Sequence, residues 1–471
     1  MNDLKLEYPY KKLSQVFYND EKPVPLKNPK LISKNGEYLE EIGLDLSDED
    51  LTKLLNGQLE IQNFTPYAGA YSGHQFGYFV PNLGDGRALN LGTLDGIHLQ
   101  TKGLGVTKYS RNADGRAVLR SSIREYLMSE AMHGLGIPTT RAAAIIDSDT
   151  TVYREKTEKT AVVLRTSSSW VRFGTFEFAR LQHKPELLKE LADFVIAESY
   201  PHLINITNRY EELFFAIVDK NITLMALWQS VGFMHGVMNT DNMNIAGLTI
   251  DYGPFAFMEA FQKEYICNHS DHEGRYSFSN QPFIARWNLL VLAHSFKEIA
   301  NHELLESYAN RFIGRFKEEY FTIMGKKLGF EKTTFEDREL ILELFDVLEI
   351  CKIDYTVFFY YLSCQNYDGI LMMAENFETI KIWLDDYLKR IEREKVSQEE
   401  RITQMRQINP KYVLKNYMLQ DVIEEAENGN YELLNDMLEI AKNPFGEHLK
   451  YEKYSKQTPK NLGGFICSCS S

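Results

Sequence analysis

The chain is poor in cysteine, has no long apolar run and carries no excess of basic residues. Five cysteines in 471 residues are too few for a disulfide scaffold, so a reducing compartment is expected. No apolar run approaches the roughly 20 residues of a membrane-spanning helix, and the first residues lack the apolar stretch of a secretory signal. A formal charge of −14 argues against general binding to nucleic acid or to an anionic membrane. We therefore expect a cytoplasmic monomer with neither nucleic acid nor membrane as a partner.

The hydrophobic content of 44% is enough for a large core, and the sequence pattern divides the chain into four parts. Residues 1–60 are predicted to form an irregular N-terminal arm with one short helix at Asp48–Leu55. Residues 61–180 combine strand signals with a helix, and residues 181–440 are mostly helical. Residues 441–471 are a tail that ends Cys-Ser-Cys-Ser-Ser.

The second part of the chain contains the clearest strand and helix signals. Strands are expected near 96–102, 142–153 and 160–166, and a helix at Ala117–Leu135, where Gly136 can cap the end. Strands with one helix, followed by a helical region, predict an α+β protein. This is the order of a two-lobed protein-kinase-like fold, with a mixed strand and helix N-lobe and a mostly helical C-lobe.

A block near mid-chain carries most of the chemical information. In the protein-kinase pattern H-R-D-x-x-x-x-N the asparagine comes seven positions after the histidine, and a later D-F-G aspartate holds Mg²⁺. His235 and Asn242 have this spacing, and Asp251-Tyr252-Gly253 can stand for D-F-G. The position of the usual base is Val237, which cannot accept a proton. Either Asp241 takes that role from a different place, or the site performs other chemistry.

The segment from Asp85 to Glu125 is basic within an acidic protein. It contains seven Lys and Arg against four acidic residues, with glycines between them. Cations together with exposed backbone N–H groups are what a polyphosphate requires. Lys102, at the end of a predicted strand, and Glu125, on the next predicted helix, fit the ion pair that positions nucleotide phosphates in kinases. Arg165 and Arg172 are two further cations for the same pocket.

Several long motifs follow one another in a fixed order along the chain. They include G-H-Q-F-G from Gly73, L-G-D-G-R-A from Leu83, D-G-R-A-V-L-R from Asp114 and the block that begins at Gly232 and reads G-F-M-H-G-V-M-N-T-D-N-M. With these motifs the chain resembles the selenoprotein O family, whose members are kinase-like in fold and were long regarded as pseudokinases. The resemblance covers nearly the whole chain.

The resemblance implies protein adenylylation, the transfer of AMP from ATP to a Ser, Thr or Tyr hydroxyl of another protein. Carried over by motif, Asp241 is the proton acceptor, Asn242 and Asp251 bind Mg²⁺ or Mn²⁺, and Glu125 pairs with Lys102. The residues that would hold the nucleotide come from both lobes: Gly84, Gly86, Arg87, Lys102, Asp114, Gly115, Arg165, Arg172 and Asp251.

In that family the nucleotide lies reversed relative to an ordinary kinase, and the charges here supply a physical reason. The β- and γ-phosphates carry most of the negative charge, so they are expected deepest among the Lys and Arg groups. The α-phosphorus then faces the metal and the incoming hydroxyl, and pyrophosphate is the leaving group.

The tail contains two of the five cysteines, Cys467 and Cys469. Some members of the family carry selenocysteine here, and Cys469 is the matching position. We expect a tail cysteine, Cys469 rather than Cys467, to form a disulfide with Cys267 and to switch activity by thiol–disulfide exchange. An unreactive tail is the alternative.

Three interpretations remain open at this point. The first is an AMP-transferring enzyme. The second, in the same broad class, is a conventional kinase that uses the γ-phosphate, or a nucleotidyltransferase that prefers UTP. The third is an inert pseudokinase that senses nucleotide or redox state. The third is disfavoured because Lys102, Glu125, Asn242 and Asp251 are all present, whereas a dead site need keep none of them.

Overall fold

Strands lie mainly in the first part of the chain and helices in the remainder. The computed structural model describes residues 4–464. The strands within that range are β1 Tyr18–Asp20, β2 Lys30–Lys34, β3 Tyr67–Gly69, β4 Gly73–Gln75, β5 Tyr78–Val80, β6 Ala88–Leu94, β7 Ile97–Lys102, β8 Ala117–Val118, β9 Arg141–Tyr153, β10 Thr157–Ser167, β11 Phe233–Met234 and β12 Ala256–Phe257.

The α-helices within the same range are α1 Gly36–Glu41, α2 Asp48–Leu55, α3 Leu119–Gly134, α4 Phe173–Leu181, α5 Pro185–Ser199, α6 Arg209–Ser230, α7 Gln281–Phe296, α8 His302–Asn310, α9 Phe312–Lys327, α10 Phe335–Ile350, α11 Tyr355–Ser363, α12 Tyr367–Met373, α13 Phe377–Ile391, α14 Gln398–Arg406, α15 Asn416–Glu427 and α16 Glu432–Lys442. The protein is therefore a mixed α/β structure with a β-sheet in its N-terminal region and a helical C-terminal region. None of these helices combines the length and the apolar character that crossing a membrane would take.

The N-terminal segment is more regular than predicted. Helix α2 confirms the predicted helix, but β1, β2 and α1 also form before residue 60. Strand β1 pairs antiparallel with β3, and β2 pairs antiparallel with β9, where Lys30 lies opposite Asp147. The prediction of an irregular arm was wrong, because partners far along the chain order strands too short to form alone.

One antiparallel sheet organises the N-terminal region. Its order is β1-β3-β6-β7-β10-β9-β2, and β8 pairs with β10 beside this path. The strands predicted from sequence are confirmed as β7, β9 and β10. Before β6, the short strands β4 and β5 form a hairpin with Phe76 and Gly77 in its turn.

The two faces of the sheet are covered by different helices. Val162 and Leu164 of β10 pack in one apolar cluster with Leu54 of α2. Val163 packs in another cluster with Ile123 of α3. Because successive side chains of a strand point to opposite faces, the sheet lies between α2 and α3.

Helix α3 begins two residues later than predicted and is capped at its end by the predicted glycine. Gly136 has φ +73°, a conformation that favours glycine. Its N–H donates to the carbonyl of His133 at 2.8 Å, and the N–H of Ile137 donates to the carbonyl of Met132 at 2.9 Å. These bonds form a Schellman cap, which fixes the end of the helix that carries Glu125.

The last two helices return to the N-terminal region. Helix α16 crosses α3 at Gly134, where a β-carbon would lie 2.1 Å from the carbonyl oxygen of Ala441. At the start of α15, Asn416 Oδ1 accepts a hydrogen bond of 3.1 Å from Arg124 of α3. The sequence pattern, which placed residues 181–440 in one helical lobe, did not anticipate these contacts.

Candidate active site

A cleft of about 850 Å³ opens between the sheet and the chain that follows α6. It is lined by segments near residues 71–125 and 237–254 and by side chains from β10 and the start of α4. The residues predicted to hold nucleotide or metal, to pair with Lys102 or to accept the proton all line this cleft: Gly84, Gly86, Arg87, Lys102, Asp114, Gly115, Glu125, Arg165, Arg172, Asp241, Asn242 and Asp251.

The register of two strands places the basic side chains on one face of the sheet. In the pairing of β7 with β10, Lys102 lies opposite Val163 and Gln100 lies opposite Arg165. Cross-strand partners share a face, as do residues two apart on one strand, so Lys102 and Arg165 project from the same side. From α3, Glu125 reaches this side, and its Oε2 lies 2.6 Å from Nζ of Lys102.

Asp251 receives three cations. Its Oδ1 lies 2.6 Å from Nη1 of Arg165 and 3.5 Å from Nζ of Lys102, and its Oδ2 accepts a hydrogen bond from Arg172. The side chains of Arg165 and Arg172 are only 2% and 3% exposed. Arg165 also pairs with Glu125 at 2.7 Å. The deep end of the cleft is therefore a network of buried ion pairs.

The charged groups of this network shift the pKa values of their neighbours. Burial alone would raise the pKa of Asp251, but Arg172, Lys102 and Arg165 hold it well below its ordinary value. Burial likewise opposes ionisation of Glu125, yet the Lys102 and Arg165 charges bring its pKa below the usual value. The pKa of Lys102 is lowered, because burial outweighs the attraction of Glu125. Asp251 and Glu125 are thus both ionised at neutral pH.

His235 holds the backbone just before Asp251. Its Nε2 lies 2.8 Å from the carbonyl oxygen of Ile250, and its main-chain N–H donates to Gln281 at 2.9 Å. Burial lowers the pKa of His235, which favours a neutral ring that donates from Nε2. Asp251 itself has φ +57°, an uncommon conformation outside glycine that often marks functional positions.

Asp241 lies in a short 3₁₀ turn, Thr240–Asn242, and is almost fully buried. Burial raises its pKa to about 6, although the Arg172 charge and a hydrogen bond from Gln75 oppose the shift. Gln75 Nε2 donates to Oδ2 at 3.3 Å, and Oδ1 has no hydrogen-bond partner among residues 4–464. A carboxylate in this setting can accept a proton near neutral pH.

The hairpin of β4 and β5 is bonded to the turn that contains Asp241. The N–H of His74 donates to Oγ1 of Thr240 at 2.7 Å, and the N–H of Phe76 donates to Oδ1 of Asn239 at 3.1 Å. Together with Gln75, three consecutive residues therefore contact the three consecutive residues 239–241. Gly73 packs directly on Asp241, since a β-carbon there would lie 2.5 Å from Oδ1.

Asn242 and Asp251 have the donor atoms that Mg²⁺ or Mn²⁺ prefers. Asn242 Nδ2 donates to the carbonyl of Val237 at 3.0 Å, so its Oδ1 remains the atom able to bind a cation. The second donor is the ionised carboxylate of Asp251. Hard divalent cations take oxygen ligands, and Mg²⁺ usually keeps several waters and substrate phosphates beside one or two protein groups. The residues present fit such an ion.

The glycines of the outer cleft are required by packing within the chain. Gly84 has φ +142°, and a β-carbon there would lie 2.3 Å from the ring of Tyr109. Gly115 has φ +68°, and a β-carbon would lie 2.1 Å from the carbonyl oxygen of Gly105. The sequence suggested that these glycines allow an anion to approach the backbone. The structure gives a second reason, which is that only glycine lets the two loops pack together.

The outer end of the cleft has a separate ion pair, which the sequence did not suggest. Arg154, from the turn after β9, donates to both carboxylate oxygens of Asp114 at 2.7 and 2.8 Å. This contact lowers the pKa of Asp114. Arg87 is exposed at the same end and forms no ion pair within the described part of the chain.

The comparisons with known proteins agree on one family. Residues 1–442 match the family described as Protein adenylyltransferase SelO. This protein belongs to the SelO family. It is similar to the Protein nucleotidyltransferase YdiU of Vibrio parahaemolyticus, with 43% identity over 479 residues that cover 98% of each chain. The proteins of the same name from Thioalkalivibrio sulfidiphilus and Vibrio cholerae are 42% and 41% identical, each covering 100% of this chain and 99% of their own. The chain is thus a nucleotidyltransferase.

Two arginines of the basic segment have structural roles outside this SelO-family cleft. Arg120 pairs with Glu158 at 2.6 Å. Arg124 is buried, and it donates to the carbonyl of Phe255 and to Asn416, both at 3.1 Å. The basic character of a segment therefore overestimates the charge that reaches its cleft.

The predicted redox pair is described only in part. Cys267 is 1% exposed and lies behind Gly236, where a β-carbon would be 2.8 Å from its Sγ. Cys469 lies outside the described residues. Within residues 4–464, Cys351 and Cys364 are free thiols.

The residues around Asp241 that sequence reasoning missed are Gln75, Gly73 and Asn239. The family motif that begins at Gly73 contains the first two, but nothing in the sequence indicated which distant segment they would contact. Gln100, which also bonds Arg165, could have been found, because it lies two positions before Lys102 on a predicted strand.

Proposed function

We propose that this protein is a protein adenylyltransferase that transfers AMP from ATP to Ser, Thr or Tyr hydroxyls of target proteins and releases pyrophosphate. We propose further that the sheet and helical regions are the two lobes of a protein-kinase-like fold, with the nucleotide between them. The observation that supports this most is the buried Lys102–Glu125 pair, 2.6 Å apart, in the same cleft as Asp241, Asn242 and Asp251.

The nature of the base supports transfer of the nucleotidyl group. Val237 lines the cleft where a kinase would have its catalytic aspartate. Asp241, with a pKa near 6, is a carboxylate that can take the proton of an acceptor hydroxyl. Because Asp241 lies four positions after the residue that corresponds to the kinase base, it would activate the acceptor hydroxyl from a different place in the cleft.

The charge distribution supports the reversed nucleotide. Lys102, Arg165 and Arg172 lie at the buried end of the cleft, where they would bind the β- and γ-phosphates. Arg87, Asp114 and Gly115 would hold the remainder of the nucleotide at the outer end. Asn242 and Asp251 would hold Mg²⁺ or Mn²⁺, which when bound neutralises charge on the reacting phosphates.

Labelled nucleotides test the reaction directly. Incubation with a protein acceptor and ATP labelled at the α- or at the γ-phosphate should transfer only the α label, and Asp251→Ala should abolish the transfer. Asp368→Asn, a change of an exposed aspartate on α12, is the control for loss of one negative charge. Transfer of the γ label would identify a conventional kinase, and transfer of neither would support an inert nucleotide-binding protein.

A second candidate function is transfer of UMP from UTP. The relatives are named protein nucleotidyltransferases, and this name does not specify which nucleotide is transferred. Parallel assays with α-labelled ATP and UTP, each with Mg²⁺ or Mn²⁺, decide between them, and we expect ATP to be preferred. Mass spectrometry of proteins from a cell extract treated with ATP would identify the targets and the modified hydroxyls.

We also propose redox control through Cys267 and Cys469. Because Cys267 is buried, formation of the disulfide requires the segment around Gly236 to open. Non-reducing peptide mapping of oxidised protein should detect a peptide that links the two cysteines. Recovery of Cys267, Cys467 and Cys469 as free thiols would reject this control. A monomeric, cytoplasmic protein remains our expectation.

A further inference from the structure

The buried cations of the cleft are compensated by carboxylates of the chain itself. Lys102 and Arg165 lie 2.6 to 3.5 Å from Glu125 and Asp251, Arg172 donates a hydrogen bond to Asp251, and Asp85 lies 3.9 Å from Arg172. Three positive charges therefore meet three acidic groups. An anion that enters this end of the cleft encounters a network close to neutral and not a free positive charge.

This balance weakens the binding of a triphosphate alone. Phosphate oxygens that approach Arg165 and Arg172 meet the ionised carboxylate of Asp251, which already occupies both guanidinium groups. The repulsion between phosphate and carboxylate opposes the attraction of the cations, and it is strong where water is excluded.

The same contacts weaken the binding of a metal ion alone. Both oxygens of Asp251 accept hydrogen bonds from guanidinium groups. A divalent cation at Asp251 would have to displace them, and Arg172, which is 3% exposed, would then have Asp85 at 3.9 Å as its one carboxylate partner among residues 4–464.

We propose that Asp251 and the cations exchange partners, so that metal and nucleotide bind only together. This inference rests on the proposed function. The metal takes the Asp251 carboxylate, and the phosphates replace that carboxylate at Arg172, Arg165 and Lys102. Glu125 keeps its contacts with Lys102 and Arg165, which holds these two side chains in place while the exchange occurs.

Three other residues help to keep the exchanging arginines in position. Arg172 donates to the main-chain carbonyl of Asp241 at 2.6 Å and lies 4.7 Å above the ring of Tyr71. Arg165 lies 4.7 Å from the ring of Trp170. These contacts do not involve Asp251, so both guanidinium groups remain anchored when the carboxylate turns to a metal.

Binding measurements on the wild-type protein test the coupling without catalysis. The ligand is ATP with a methylene group between the α- and β-phosphorus atoms, which cannot release pyrophosphate. We expect it to bind about tenfold or more tightly with Mn²⁺ than in EDTA, and Mn²⁺, followed by electron paramagnetic resonance, to gain affinity by the same factor when the analogue is present. Equal affinities with and without Mn²⁺ would overturn the proposal.

Two substitutions test the carboxylate and the guanidinium sides of the exchange separately. Asp251→Asn removes the competing carboxylate, so in EDTA it should bind the analogue about fivefold or more tightly than wild type, although metal no longer helps. Arg172→Gln removes a guanidinium, so it should bind Mn²⁺ in the absence of nucleotide more tightly than wild type, and Arg172→Lys should restore the wild-type value. Asp368→Asn and Arg393→Gln, at exposed positions, are the controls for net charge.

The outcomes distinguish this inference from the proposed function. Failure of the wild-type protein to bind the analogue under either condition would reject the nucleotide site and the exchange together. Tight binding with no dependence on Mn²⁺, or an Asp251→Asn variant that binds no more tightly than wild type in EDTA, would reject the exchange alone. If either variant fails to fold, the test is whether the analogue and Mn²⁺ raise each other's affinity by the same factor in the wild-type protein.

Discussion

Gly73 lies against Asp241 so closely that a β-carbon on the glycine would be 2.5 Å from Oδ1 of the carboxylate and 2.9 Å from its Cβ. The two residues are 168 positions apart, and the contact joins the hairpin of β4 and β5 to the turn that carries the proposed base. Asp241 is therefore positioned by a strand of the N-terminal region as well as by its own turn.

We predict that Gly73→Ala displaces Asp241 and lowers the rate of nucleotidyl transfer by about 10- to 100-fold, because small misplacements of a catalytic group are costly. The affinity for the non-hydrolysable ATP analogue should change less than the rate, since Gly73 packs on the side chain of Asp241, whereas Arg172 is anchored on its main-chain carbonyl. Gly314→Ala is the matched control, because nothing lies within 4 Å of a β-carbon there. A Gly73→Ala enzyme with the wild-type transfer rate would show that Asp241 does not need this packing.

The pH dependence of transfer should report the ionisation of Asp241. Burial raises the pKa of this group to about 6 from an ordinary value of 3.8. Only the ionised form accepts a proton, so the transfer rate should be constant above pH 7 and fall as the pH drops through about 6. Circular dichroism at each pH separates this decline from unfolding. A rate that is unchanged down to pH 5 would exclude Asp241 as the base.

The same shift predicts that Asp241→Asn stabilises the fold while it abolishes transfer. A raised pKa means that ionisation of the carboxylate destabilises the folded state. This destabilisation is absent below pH 3.8, grows as the pH rises and is complete above pH 6. At pH 8 the asparagine variant should gain about 2 kcal/mol in the free energy of unfolding in urea, and the gain should shrink as the pH approaches 4. Asp368→Asn should show neither change. An Asp241→Asn variant less stable than wild type at pH 8 would contradict the prediction.

Local patterns are sufficient to place Lys102 on a strand and Glu125 on the following helix. A strand of alternating residues ends at Lys102, and a glycine ends the helix of Glu125, so both positions depend on neighbours within about 20 residues. In the N-terminal region the same kind of local signal predicted β7, β9, β10 and α3.

Contacts between distant segments were not predictable in this way. Strand β4 has three residues, and its periodicity could not reveal that Gln75 bonds Asp241. The pairing of Lys30 with Asp147 likewise depends on β9, a strand far along the chain, and not on the residues next to Lys30. The charge pattern also could not distinguish Arg124, which is buried beside Phe255, from Arg172, which reaches the cleft. A sequence indicates which residues carry charge, whereas packing decides which charges meet.

A final prediction concerns stability away from the cleft. Lys327, the last residue of α9, is 2% exposed, and its Nζ lies 4.5 Å from the centre of the Phe359 ring. No carboxylate pairs with it among residues 4–464. Burial lowers the pKa of its amine to about 7 from 10.5. Because the fold disfavours the charged amine, this residue should cost stability progressively as the pH falls from 10.5 to 7, and fully below pH 7.

Lys327→Met keeps the length of the side chain and removes the charge. We expect it to raise the free energy of unfolding by about 2–4 kcal/mol at pH 7 and by much less at pH 10. Urea denaturation at the two pH values measures this difference, and Lys381→Met, an exposed lysine on α13, is the control. The Phe359 ring offsets only part of the burial cost, since a cation beside an aromatic face gains about 2 kcal/mol when desolvated. If the variant were equally or less stable than wild type at pH 7, the amine would have to be stabilised by contacts other than the ring.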